Sequence, residues 1–142
     1  DLLKGREAIA LEQKALAPFA SQDFVQADPS DYGNKVRDEM ENRGHTEAYI
    51  VNAEGSLLGK LNIYQAIACQ DGNVGEFMDK TPITLYGDES LNEAMIKVSQ
   101  FVGESLPVVE KGSNRLIGSI AEGELFQAVI DVQSEARTIE RD

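Results

Sequence analysis

The sequence predicts an α+β fold made of two copies of one unit, strand-helix-strand-strand-helix, packed with pseudo-twofold symmetry. Three observations predict it. The chain repeats itself at a spacing of 59 residues without a gap, so that Gly44 matches Gly103, Leu57 matches Leu116 and Gly59 matches Gly118. Each copy carries two β-branched or aromatic runs separated by glycine and polar turn formers, the signature of a β-hairpin. Each copy also carries a stripe of apolar residues at helical spacing that runs into a glycine. A unit this small cannot cover its own apolar face, so two copies complete a core against each other and leave clefts between them.

Element by element, residues 2–16 are rich in Leu, Ala, Glu and Gln and contain no proline, which predicts a helix that Pro18 stops. Nothing similar precedes the second copy, so residues 1–17 are expected to be a connector helix from whatever lies upstream. Residues 18–69 then form the first copy, 74–132 the second, and 133–142 a polar helical extension.

In the first copy, Phe24-Val25-Gln26 predicts a strand, and Tyr32, Val36 and Met40 a helix ending at Gly44. Residues 48–51 and 57–61 predict a hairpin around Ala53-Glu54-Gly55, followed by a helix over 63–68. In the second copy, Ile83-Thr84-Leu85 predicts the strand, with Pro82 disfavouring helix just before it. Ser90 and Glu93 have the spacing of a capping box. Leu91, Ala94, Met95, Val98 and Val102 make the stripe that ends at Gly103. Residues 106–109 and 116–120 flank a turn around Gly112-Ser113-Asn114. A helix over 122–132 follows, with Leu125, Val129 and Val132 on one side. The tail sets Glu135, Arg137, Glu140 and Arg141 around Ala136 and Ile139, a helix end available to a partner.

Composition narrows the function classes. The 142 residues are 42% apolar and 27% charged, an ordinary globular balance. A net charge of −12 opposes nucleic acid and anionic membrane surfaces, which need basic patches to displace counterions. A single cysteine, Cys69, excludes an intrachain disulfide and fits a reducing compartment. No apolar run approaches the roughly 20 residues that span a bilayer. The chain starts at Asp1, inside a helical pattern, and is expected to be a soluble fragment of a longer protein. No Walker loop, dinucleotide fingerprint, nucleophile elbow or zinc spacing is present, so neither an enzyme nor a metal site is expected. Asp28, Asp31, Asp38, Glu39 and Glu41 read as a solvated acidic face, the first two at a helix start where acids suit the dipole.

The run FMDKTPITL, the capped helix DESLNEAM and the stretch SLPVVEKGSNRLIGSIAEGEL together resemble the cystathionine β-synthase (CBS) repeat. The second copy resembles it from Val74 to Ile130, and the first resembles it in layout from about Pro18 to Ala68. The resemblance implies a Bateman module: two sheets packed face to face, two symmetry-related clefts, and pairing of modules into a homodimer. It also implies a regulatory role on enzymes, transporters or channels, and no chemistry of its own. The lead-in Asp1-Leu2-Leu3-Lys4-Gly5-Arg6-Glu7 is similar to the segment that joins the last membrane helix of ClC-type chloride channels and transporters to their cytosolic CBS pair. That similarity implies an upstream transmembrane domain and a place on the cytoplasmic face of the membrane.

In ligand-binding members of this family, the acid of a small-x-x-Asp step holds the ribose hydroxyls, because a carboxylate accepts two hydrogen bonds from a vicinal diol. By position that step is Ala121-Glu122-Gly123-Glu124 in the second copy and Asn62-Ile63-Tyr64-Gln65 in the first. Glu124 keeps the charge and Gln65 loses it. The resemblance therefore points to one better cleft, with Phe24 against a base, His45, Thr46 and Ala48 near sugar and phosphates, and Glu124 on the ribose. His45, the sole histidine, is expected in an exposed turn, where it could assist a phosphate or sense protons. Glu47, Glu104 and Glu122 near the same turns oppose a triphosphate, which needs cations or helix N-termini. Two readings stay open: a coupling and dimerisation module that requires no cofactor, and a sensor of ATP, ADP or AMP on a soluble enzyme.

Overall fold

The structure is a computed structural model that describes residues 2–101 and 103–141. Helix α1 (Leu2–Gln13) leads through a 3-10 turn at Ala17–Phe19 into the first half. That half comprises β1 (Val25–Ala27), α2 (Gly33–Arg43), β2 (Glu47–Val51), β3 (Leu57–Asn62) and α3 (Ile63–Cys69). A second 3-10 turn, Val74–Glu76, opens the other half: β4 (Leu85–Tyr86), α4 (Leu91–Val98), β5 (Leu106–Val109), β6 (Leu116–Ile120) and α5 (Glu122–Arg141). The α+β class and the repeated strand-helix-strand-strand-helix order are as the sequence predicts.

Each half holds a three-stranded sheet, β1-β2-β3 or β4-β5-β6, with a parallel first pair and an antiparallel second pair. A parallel pair needs a crossover connection, which α2 and α4 supply. Val25, Val36, Met40, Ile50 and Leu61 fill the first core, and Leu85, Leu91, Leu106, Val108, Ile120 and Leu125 the second. Between the sheets, Tyr49, Leu57 and Val109 form a third buried cluster.

The halves are sealed at two ends about the pseudo-axis. At one end the hairpin turns pair: the Leu57 amide donates to the Asn114 carbonyl and the Leu116 amide to the Gly55 carbonyl, both at 2.9 Å. These two bonds are repeat equivalents of each other. At the other end the loops after α2 and α4 meet, and there the candidate site lies.

Each half also lends an arm to its twin. Ser21, ahead of β1, pairs with Ser119 on β6, while Asp79, ahead of β4, pairs with Lys60 on β3. This crossing accounts for the matched glycines. A Cβ at Gly118 would stand 2.7 Å from the Ala20 Cβ and 3.0 Å from the Ser21 carbonyl; one at Gly59 would stand 2.6 Å from the Asp79 carbonyl. The N-terminal segment goes further. Leu16 has no exposed surface and belongs to the second core, its amide bonded to the Glu89 carbonyl at 2.9 Å. Helix α1 packs along α5 and against α4.

Several local expectations change. The first helix ends at Gln13 rather than at residue 16, because residues 14–16 are held against the second half instead, with Ala15 bridged to Ser90 and the Leu91 amide donating to the Lys14 carbonyl at 3.2 Å. The strands expected at 24–26 and 83–85 begin one and two residues later. Tyr32 is not in the helix stripe: it is the extended N-cap of α2 and is 58% exposed. Asp28 and Asp31 build the turn before that helix, the Asp28 amide donating to Asp31 Oδ2 at 3.0 Å, and lie outside its first turn. Gly44 caps α2 in the left-handed conformation (φ 71°), as expected, whereas α4 stops at Val98 with Ser99 as its cap, well short of Gly103. Val102, the last member of the expected stripe, lies outside the described residues. The tail continues α5 as a helix, and Arg137 donates to Glu7 of α1 at 2.7 Å, so α1 occupies the inner side of that helix end.

Candidate functional site

A cleft of about 210 Å³ opens beside the loop-to-loop seal, lined by residues that include Phe24, His45 and Glu124. These three of the five predicted site residues come together. Phe24 packs edge-on against Tyr49, ring centroids 5.6 Å apart, and is thereby fixed to the inter-sheet cluster. Ala48 has no exposed surface and lies in the first core. Thr46 is nearby, but both of its donors are engaged: its amide and hydroxyl bond Glu104 Oε2 at 2.6 and 2.7 Å.

His45 is not in an exposed turn. Its side chain is 15% exposed, with Nδ1 2.6 Å from Glu104 Oε1 and Nε2 3.0 Å from Asp23 Oδ1. The hydrogen bond with Asp23, then that with Glu104, raises the pKa of His45 above its ordinary 6.5 against a smaller opposing effect of burial. Burial alone would raise the Glu104 carboxyl, but the bonds from His45 and Thr46 outweigh it and hold the group below 4.5. The opposite loop is gripped in return, since Glu47 Oε1 accepts the Glu104 and Ser105 amides at 2.9 and 3.0 Å. Burial pushes the Tyr49 phenol upward, and its hydroxyl bonds Ser105 Oγ at 2.5 Å.

Glu124 and Gln65, the two positions matched to the ribose-binding acid, share a local task. Glu124 Oε1 accepts the Ala121 amide at 2.9 Å, and Gln65 Oε1 accepts the Asn62 amide at 2.8 Å. Asn62 returns the bond to the Gln65 amide, completing a capping box at the start of α3. Ser90 accepts the Glu93 amide in the same way at the start of α4. The pattern Asn-x-x-Gln made the box at α3 readable in advance.

The two sides also differ at the repeat position of Ser119, which is Lys60 in the first copy. On the Lys60 side the ammonium reaches Glu47 Oε1 at 3.0 Å and the Ser105 carbonyl at 2.6 Å, and lies 4.6 Å from the Phe101 ring centroid. Beside it an opening of about 490 Å³ is lined by Thr46, Glu47, Asn62, Ile63, Tyr64, Gly103 and Glu104. The cleft on the Ser119 side is lined by four carboxylates, Asp23, Glu47, Glu104 and Glu124, against one imidazole. Among the described residues no group of His, Cys, Asp and Glu is arranged to hold a metal, and no helix is long and apolar enough to cross a membrane.

Comparison with known proteins agrees with this architecture. The family model described as CBS domain matches residues 74–131. No curated protein matches the sequence. The chain is similar to a CBS domain pair/ACT domain protein from Thermotoga maritima, at 18% identity and a TM-score of 0.74, over 83% of this chain and 98% of that one. It is similar to the CBS-pair protein CBSX2 from Arabidopsis thaliana at 18% identity and a TM-score of 0.74, over 84% and 96% of the two chains. CBSX2 has also been solved in complex with AMP. The third likeness is to the cytosolic domain of the Mg2+ channel MgtE in complex with ATP, at 19% identity and a TM-score of 0.73, over 90% of this chain and 55% of that one.

Proposed function

We propose that this chain, in which residues 74–131 are a CBS domain and the whole has the fold of a CBS domain pair, is the cytosolic regulatory and dimerisation module of a larger membrane protein, a chloride channel or other anion transporter. It performs no chemistry itself. The observation that carries this reading is the place of the N-terminal segment. Leu16 is buried in the far half and α1 lies along α5, so a domain joined ahead of α1 is mechanically connected to the packing of the whole module. The likeness to the cytosolic part of a Mg2+ channel over 90% of the chain and the ClC-like lead-in support a host in the membrane.

Pairing with a second copy has a matching surface. Ile67 on α3 and Phe126 on α5 are repeat equivalents, 39% and 45% exposed, and Tyr64 and Ile130 on the same two helices are exposed beside them in sequence. Exposed apolar patches of this kind mark contact surfaces. Light scattering should give twice the mass of the chain, and the double variant Ile67→Asp, Phe126→Asp should give the single mass with an unchanged fold. A variant that stays dimeric would place the interface elsewhere.

The second reading is an adenine-nucleotide sensor, favoured by the meeting of Phe24, His45 and Glu124 around one cleft and by the nucleotide complexes of CBSX2 and MgtE. Two features oppose it. The cleft falls below the roughly 300–1,000 Å³ of ordinary ligand pockets, and its four carboxylates repel phosphate. Calorimetric titration with millimolar ATP, ADP and AMP is expected to give no binding heat. Heat that Glu124→Ala abolishes would establish the sensor reading instead.

A further inference from the structure

Repeat positions 45 and 104 meet across the pseudo-axis, and there the two copies have diverged into a complementary pair, histidine against glutamate. We propose that His45, Glu104 and Asp23 form a proton-operated clasp between the halves, in which loss of the Nε2 proton frees Asp23 and loosens the arm that pairs with β6.

The geometry fixes the proton count. Both ring nitrogens face carboxylate oxygens, Glu104 at 2.6 Å and Asp23 at 3.0 Å. A neutral imidazole has one N–H and can donate to only one of them, so the closed clasp contains the imidazolium. The charged groups around the ring come from every element packed there. Asp23 precedes β1, Arg43 ends α2 and reaches Asp23 at 3.5 Å, and Glu104 precedes β5. Glu47 on β2 and Glu124 on α5 line the same cleft, and Lys60 on β3 is paired with Glu47. Removing the central cation leaves these carboxylates facing one another.

The two contacts are not equal. Glu104 is 29% exposed and held by Thr46 as well, whereas the Asp23 side chain is 72% exposed and readily hydrated. The neutral ring therefore keeps its proton on Nδ1 toward Glu104, and Asp23 lets go. Asp23 lies two residues from Ser21, whose amide and carbonyl bond Ser119 at 2.6 and 2.9 Å. From Ser21 the chain leads back through the 3-10 turn to Leu16 and α1, so the loosened arm lies on the path to the attached domain. That last step rests on the proposed module function; the titration itself does not.

The sign follows from linkage. A folded-state pKa above 6.5 contributes stability that is fully present below 6.5 and is lost as pH rises through the folded value. For Glu104, held below 4.5, the contribution is present above 4.5 and is lost as pH falls through its folded value. The clasp is thus closed between the carboxylate range and the raised histidine value.

With one histidine in the chain, nitrogen-15 histidine NMR reads a single ring without assignment. The 142-residue protein should titrate above 6.5 to a neutral ring protonated on Nδ1, and Asp23→Asn should move the midpoint back toward 6.5. Protection of the Ser21 and Ser119 amides from hydrogen exchange, corrected for intrinsic rate, should fall across the same titration and stay low at every pH in Asp23→Asn. A midpoint at or below 6.5, a neutral ring protonated on Nε2, or protection that is flat through the titration would each overturn the clasp. None of these outcomes bears on whether the chain is a regulatory module.

Discussion

Leu16→Ala is expected to destabilise the protein by about 2–5 kcal/mol, the range for truncating a fully buried leucine in a core that relaxes only partly. Leu16 lies nine residues ahead of Val25 at the start of β1, yet it packs with Leu85, Leu91, Leu106 and Leu125, completing the core of the other half.

 Urea unfolding should show a lower midpoint with an unchanged slope, the mark of lost stability without a changed denatured state. Leu16→Met, which nearly conserves volume, should cost less than about 1.5 kcal/mol. A loss below about 1 kcal/mol for the alanine variant would mean that the N-terminal segment is not part of the second core.

Gly118→Val is the second large effect. Its φ is not among the positive values, so the requirement is for space rather than for conformation. The added atoms would meet the Ala20 Cβ and the Ser21 carbonyl, and a backbone carbonyl cannot swing aside as a flexible side chain can. The cost is expected at the upper end of the roughly 1–3 kcal/mol of overpacking, with a matching fall in the thermal midpoint. Gly59→Val should behave alike, because the Asp79 carbonyl and Met78 crowd it from the other arm. Valine variants that melt with the wild type would show that the arms are not pressed against β3 and β6.

The hairpins and the helices after them were legible because their signals are local. Turn glycines and β-branched runs place β2, β3, β5 and β6 to within a residue, and three of the helix starts carry a side-chain or backbone cap. Long-range placement was not legible in the same way. Nothing in residues 2–16 says which half they will cover, since Leu16 finds its partners about 70 to 110 residues later in sequence, among Leu85, Leu91 and Leu125. Gly103 shows the limit of repeat matching: it aligns with Gly44, yet its φ of 150° belongs to the loop before β5 and not to a helix cap.

The candidate site divides in the same manner. Phe24, His45 and Glu124 meet because the repeat fixes which ends of the sheets face each other. The clasp was a further step, and its signal was present: positions 45 and 104 are equivalents, and equivalents next to a pseudo-twofold axis must meet. The burial of Ala48 follows from its place in β2, where a residue facing the core has no surface to offer a ligand.

The exchanged arms also set an order of events during synthesis. A ribosome delivers residues 14–21 well before the surface that receives them, which is built from residues 85–132. Domains ordinarily fold from the N-terminus as they emerge; here the segment ahead of the first sheet must wait, with Leu16 uncovered, until the second repeat is out. A segment made before either sheet docks only after both are present, and closing the module becomes a check that translation has passed the end of the second repeat.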